Sequence, residues 1–125
     1  MRFLPFEKPW PKLYKPIDET FTTFRFPWKD GFEHQIGDKV QPVLNNRSPR
    51  LIRLGIAIIV GKDTVDCSHN AHLQKGSNLS DEEAQEDGFI SKREMCYWLQ
   101  KHYRQRSEIE PLIKYTLKWL RRMGD

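Results

Sequence analysis

Thr23 and Arg25 stand two residues apart in the run Thr20-Phe21-Thr22-Thr23-Phe24-Arg25. In an extended chain that spacing puts both side chains on one face, while Thr22 and Phe24 point the other way. A hydroxyl and a guanidinium held side by side on a strand make a clamp for a phosphate or a base edge. The same arginine can instead pair with an acid such as Asp87 or Asp38 and serve only the fold. Lys29, Arg47, Arg50 and Arg53 follow in the chain. Along one rim they would add salt-dependent phosphate contacts, and otherwise they form an ordinary solvated basic surface. Phe26, Trp28 and Phe32 set aromatics next to these cations, the combination that stacks bases while neutralising a backbone. Phe26 reads as core. Trp28, on a loop between Pro27 and Lys29, is the stacking candidate, with a barrel-end plug as its structural alternative.

Other chemistries have less to build on. Cys67, His69 and His72 supply a thiolate and two imidazoles within one short stretch, but structural zinc wants four ligands in paired spacings and no second pair follows. A polar loop is the simpler account, and no metal is expected. The chain holds no Gly-x-Gly-x-x-Gly, no phosphate-binding P-loop, no Gly-x-Ser-x-Gly and no His-Glu-x-x-His, so no cofactor is expected either.

These side chains sit in a chain of 125 residues, a size at which one domain buries a core without disulfides. Cys67 and Cys96 are the two cysteines, and Cys96 falls in a helical pattern, so a disulfide framework is not expected. With 30% charged but 12% aromatic residues the chain should fold. There are 21 Lys and Arg against 17 Asp and Glu, a net charge of +4, and the acids gather around residues 81–87. That segregation implies one positive face suited to a polyanion. Prolines at 5, 9, 11 and 16 break the N-terminal apolar residues, so they form no signal peptide, and no apolar run approaches the ~20 residues of a membrane span. A cytoplasmic protein without a membrane partner is expected.

The elements that must position the clamp follow from pattern. The prolines argue against regular structure over residues 2–16, yet Phe6, Trp10, Leu13 and Tyr14 supply apolar anchors, so residues 1–19 read as an ordered arm on a domain spanning 20–125. Residues 20–26 are the first strand, ended by Phe26-Pro27. Asp30-Gly31 and Ile36-Gly37-Asp38 mark turns. The next strand, 39–44, carries Pro42 and so should lie at an edge or carry a bulge. Residues 51–60 form the strongest strand, with Ile52, Leu54, Ile56, Ile58 and Val60 alternating on one face. Residues 61–79 read mainly as a loop, with a short strand near 64–67 as an option. Ser80-Asp81-Glu82-Glu83 and Ser91-Lys92-Arg93-Glu94 are capping boxes opening two helices. In the last segment Ile113, Tyr115, Leu117 and Trp119 alternate with polar residues, which favours a strand over a helix. Strands, then a helix pair, then a closing strand give an α+β domain.

The threonine-rich strand ending in arginine, the Ile36-Gly37-Asp38 turn, Leu79-Ser80-Asp81-Glu82-Glu83-Ala84, Asp87-Gly88-Phe89 and Met95-Cys96-Tyr97-Trp98-Leu99 together resemble the ASCH domain family of the PUA-like superfamily. The resemblance covers residues 20–120. It implies a mixed β-barrel of about five to six strands with the helix pair before the last strand. It also implies a cleft between barrel and helices that takes RNA or a nucleotide. Some small bacterial members are similar in fold and act as amidohydrolases on acylated cytidine nucleosides, using a lysine, a threonine and a glutamate. Here Thr20 stands where that lysine is expected, and the glutamate falls on or near Asp87. If the chain is an enzyme, Thr23 and Asp87 are its catalytic candidates, Asp87 as general acid or base. Threonine needs an adjacent base to act as a nucleophile. The expectation is therefore an RNA- or nucleotide-binding protein using Thr23, Arg25, Trp28, Lys29, Arg47 and Arg50, with the amidohydrolase as the alternative. A protein-interaction module using the proline-rich arm is the second alternative.

Overall fold

A proline-studded N-terminus and a run of alternating apolar residues at the C-terminus end in the same sheet. The computed structural model describes residues 1–6, 9–26, 31–46, 48–65, 80–102 and 112–123. Along the chain these form β1 (Arg2–Phe6), a 3-10 turn (Pro11–Tyr14), β2 (Thr20–Arg25), β3 (Lys39–Leu44), β4 (Ile52–Arg53), β5 (Gly55–Val65), α1 (Asp81–Glu86), α2 (Lys92–His102) and β6 (Leu112–Arg122). The strands make one mixed sheet in the order β1-β3-β5-β6-β2, with β4 pairing β3. The fold is α+β with the helix pair before the last strand, as expected. The sheet is not a closed barrel, however: β1 and β2 end the path unpaired to each other.

The N-terminal residues depart from expectation because a proline is tolerated on a sheet edge. Arg2–Phe6 runs parallel to β3, with Pro5 opposite Val43. An edge strand has one unpaired side, where a missing N–H costs nothing. Of the expected anchors Phe6 and Leu13 are buried, Trp10 is half-buried and Tyr14 is exposed, and Leu4 is buried as well.

Pro42 also departs from expectation, since β3 lies inside the sheet between β1 and β5. The bulge is on the strand facing it. Lys39 and Val40 face Ile58 and Ala57, whereas Val43 and Leu44 face Arg53 and Ile52. Gln41 and Pro42 thus span Leu54, Gly55 and Ile56, one residue more than themselves. The Leu54 N–H donates to the Pro42 carbonyl at 2.9 Å. Gly55 sits at φ +146°, and a Cβ there would collide with the Arg121 carbonyl oxygen and lie 2.7 Å from Arg122 Cα. Only glycine fits this bulge against β6.

The face of the long strand turned to the core is the opposite of the one expected. Ile52 and Val60 are exposed, Ile56 and Ile58 are half-buried, and the core takes Gly55, Ala57 and Ile59 instead. β5 then runs on through Gly61 to Val65 where a loop was expected. In β6 the expected alternation holds, with Ile113, Tyr115, Leu117 and Trp119 all buried.

The chain divides into two compact units, with boundaries inside β2, β5 and β6. The first comprises Met1–Thr22, His34–Gly61 and Thr116–Asp125. Its core includes Leu4, Phe6, Leu13, Phe21, Val40, Val43, Ile59, Leu117 and Trp119, with the Phe21 and Trp119 rings 5.3 Å apart. The second comprises Thr23–Glu33 and Lys62–Tyr115. There Ala84 of α1 and Met95, Cys96 and Leu99 of α2 pack with Val65 and Leu112, joined by the partly buried Phe24, Phe26 and Phe89.

Candidate functional site

The alternation of β2 brings Thr23 and Arg25 together as expected. Thr23 is 4% exposed, Arg25 is half-buried, and Arg25 Nε donates to Thr23 Oγ1 at 3.1 Å. This bond fixes the plane of the guanidinium on a rigid strand. A flat cation set in this way suits a bidentate acceptor such as a phosphate or a base edge. In this bond the Thr23 oxygen accepts, which leaves its own proton available. A hydroxyl is activated by a base that takes that proton, and among the described residues none does so.

Asp87 belongs to the same unit, half-buried at the C-cap of α1. Its surroundings are those of a helix stop. Gly88, at φ +89°, donates to the Gln85 carbonyl and Phe89 to the Ala84 carbonyl, both at 3.0 Å. Those two bonds constitute a Schellman motif, which gives Asp87-Gly88-Phe89 a structural reason. At the other end of α1 the expected capping box is complete. Ser80 Oγ accepts the Glu83 N–H at 3.1 Å and Glu83 Oε1 accepts the Ser80 N–H at 3.0 Å. Glu83 also forms an ion pair with Lys114 of β6 at 3.1 Å. For α2 the serine half of the box is present, with Ser91 Oγ accepting the Glu94 N–H at 3.2 Å. The glutamate reaches one residue further back, to the Ile90 N–H, at 2.7 Å.

The remaining candidates are placed as follows along the chain. Arg50 lies in the first unit, exposed in a turn where its N–H donates to Ser48 Oγ and its carbonyl accepts from Asn45 Nδ2. Arg53, also exposed in the first unit, holds its guanidinium 5.7 Å from the centre of the Phe3 ring. Trp28, Lys29 and Arg47 lie outside the described residues, as do Cys67, His69 and His72. Among the described residues no group of His, Cys, Asp and Glu could hold a metal ion, and no helix is long and apolar enough to cross a membrane.

Sequence reasoning missed Lys12. It is 3% exposed, its Nζ donates to the Thr22 carbonyl at 2.7 Å, and it lies 5.9 Å from the centre of the Phe6 ring. Thr22 is on one edge strand and Phe6 on the other. The buried ammonium therefore bridges the gap left by the open sheet. Nothing in its spacing marks it, because lysine is among the residues least expected inside.

No protein-family model, curated protein or solved structure matches this chain.

Proposed function

We propose that this protein is an RNA- or nucleotide-binding module of ASCH type with a PUA-like fold. It holds its ligand over Thr23 and Arg25, with Arg50 among the cations that take phosphates and with Trp28, Lys29 and Arg47 contributing. The observation that carries the reading is the Nε–Oγ1 bond within β2, at 3.1 Å, which orients a half-buried guanidinium. The order of strands, helix pair and final strand fits such a fold. Binding is favoured over hydrolysis of acylated cytidines because among the described residues no base accepts the Thr23 hydroxyl proton. The N-terminal arm is a poorer candidate for an adhesive surface, since Leu4, Phe6 and Leu13 are spent on the core.

Fluorescence polarisation with a labelled oligoribonucleotide tests this. Arg25→Ala should weaken binding about tenfold or more, the value of a charge-assisted bond, and Arg25→Lys should restore it only in part. Unchanged affinity in Arg25→Ala would remove the site. Release of free cytidine from an acylated cytidine by the purified protein, abolished in Asp87→Ala, would replace the binding reading with the hydrolytic one.

A further inference from the structure

The side of α2 that faces away from its core carries an arrangement for which the fold has no use. Met95, Cys96 and Leu99 turn inward. Opposite them Arg93, Tyr97 and Lys101 recur every fourth residue, and all three are exposed. That interval stacks side chains along one stripe of a helix. Tyr97 is 68% exposed, at the centre of the stripe. Among the described residues no side-chain hydrogen bond or ion pair engages Arg93, Tyr97 or Lys101. Glu94 of this helix accepts the Ile90 N–H at 2.7 Å, and Asp81 accepts the Lys92 N–H at 2.9 Å. Next to the stripe Trp98 is 38% exposed, its ring 5.8 Å from that of Phe89.

An aromatic ring between two cations matches the repeat of a nucleic-acid strand, in which flat bases alternate with charged phosphates. A protein interface can share an aromatic centre with charges at its rim, but here both flanking charges, Arg93 and Lys101, are positive, which suits a strand of phosphates. Arg93 and Lys101 are separated by eight residues, about 12 Å along the axis at ~1.5 Å per residue, a span of a few nucleotides. Stacking on Tyr97 requires a base that is not already paired and stacked in a duplex. The partner is therefore a single strand.

We infer that the outward stripe of α2 is a second contact surface, on which Tyr97 stacks against a base of single-stranded RNA while Arg93 and Lys101 take the flanking phosphates. The inference rests on the RNA-binding reading above but uses residues separate from Thr23 and Arg25.

Polarisation titration of the full chain with a short fluorescein-labelled oligoadenylate decides it. Tyr97→Ala should weaken binding about 5- to 150-fold, the range for losing one stacked base. Tyr97→Phe should bind like the parent, since the ring is retained. Arg93→Glu combined with Lys101→Glu should weaken binding further and flatten its salt dependence. All these side chains are exposed, so melting curves should match the parent's. Parental affinity in Tyr97→Ala, with Arg25→Ala impaired, would overturn the stripe and leave the strand site standing. The reverse pattern would keep the stripe and remove the strand site, and a parent chain that binds no single strand would overturn both. Loss of a co-purifying protein in Tyr97→Ala, with RNA affinity unchanged, would make the stripe a protein surface instead and so refute the inference.

Discussion

Two adjacent threonines of β2 show how little residue type alone decides. Thr23 accepts the Arg25 Nε–H, whereas Thr22 Oγ1 is buried and has no hydrogen-bond partner among the described residues. A buried hydroxyl without a partner carries a desolvation penalty, and its removal should not destabilise. Thr22→Val is therefore expected to unfold in urea at the parental midpoint or higher, by up to about 1 kcal/mol. Thr23→Val should lose about 1 kcal/mol, the value of its bond. A clear loss in Thr22→Val would show that the hydroxyl has a partner. Lys12 gives a third case, since its ammonium is buried against the Thr22 carbonyl at the open edge of the sheet. Truncation to alanine removes a packed stem and leaves a carbonyl unsatisfied, so Lys12→Ala should cost about 2–4 kcal/mol in the same assay. The period-2 rule was enough to find Thr23 and Arg25. No rule applied to single residues would have found Lys12, because its burial depends on where the edges of the sheet come to lie.

The elements were legible where a local device defines them and obscure where a neighbour does. α1 spans six residues, too short to persist alone, and depends on its capping box, its Schellman stop and the Glu83–Lys114 ion pair. Both ends could be read from Ser80-x-x-Glu83 and Gly88, since caps are written in adjacent residues. Ser80→Ala should cost about 1 kcal/mol, measured by thermal melting, and an unaffected melt would show that packing alone holds the helix. β6 was legible because alternation persists over its whole length. β1 was missed, and β3, whose bounds were read correctly, was placed at an edge or a bulge, because the tolerance of a strand for proline depends on its place in the sheet. The interruption between β4 and β5 had its one sequence signal in Gly55, as an isolated glycine within a strand pattern marks a bulge or a close approach. Gly55→Ala would force a Cβ into the Arg121 carbonyl at a positive φ. Severe destabilisation or insoluble expression is expected, and a variant with parental stability would contradict the bulge.

Charge acts over the whole molecule, where the modest net value of +4 hides a segregation. Residues 81–87 contain five of the 17 acids and none of the 21 Lys and Arg. Three of these acids, Asp81, Glu82 and Glu83, lie in the first turn of α1, where the partial positive charge of a helix N-terminus favours them. The acidic cluster thus has a structural cause, and the remaining surface is more cationic than the total suggests. A polyanion meeting that surface releases counterions in proportion to the phosphates it neutralises. With Arg25, Arg50, Arg93 and Lys101 as the contacts, at roughly 0.7 per phosphate on a single strand, log affinity against log salt should fall with a slope between about −2 and −3. Titration with an oligoadenylate between about 50 and 200 mM KCl measures it. A slope near zero would mean that these cations stay away from phosphate, and a slope well beyond −5 would require a far wider cationic surface than the strand and the helix stripe supply. The double reversal Arg93→Glu with Lys101→Glu should shift the slope by more than one unit toward zero, because it removes two contacts at once. Arg25→Ala should shift it by less than one unit. Measured side by side, these two shifts divide the electrostatic contribution between β2 and α2.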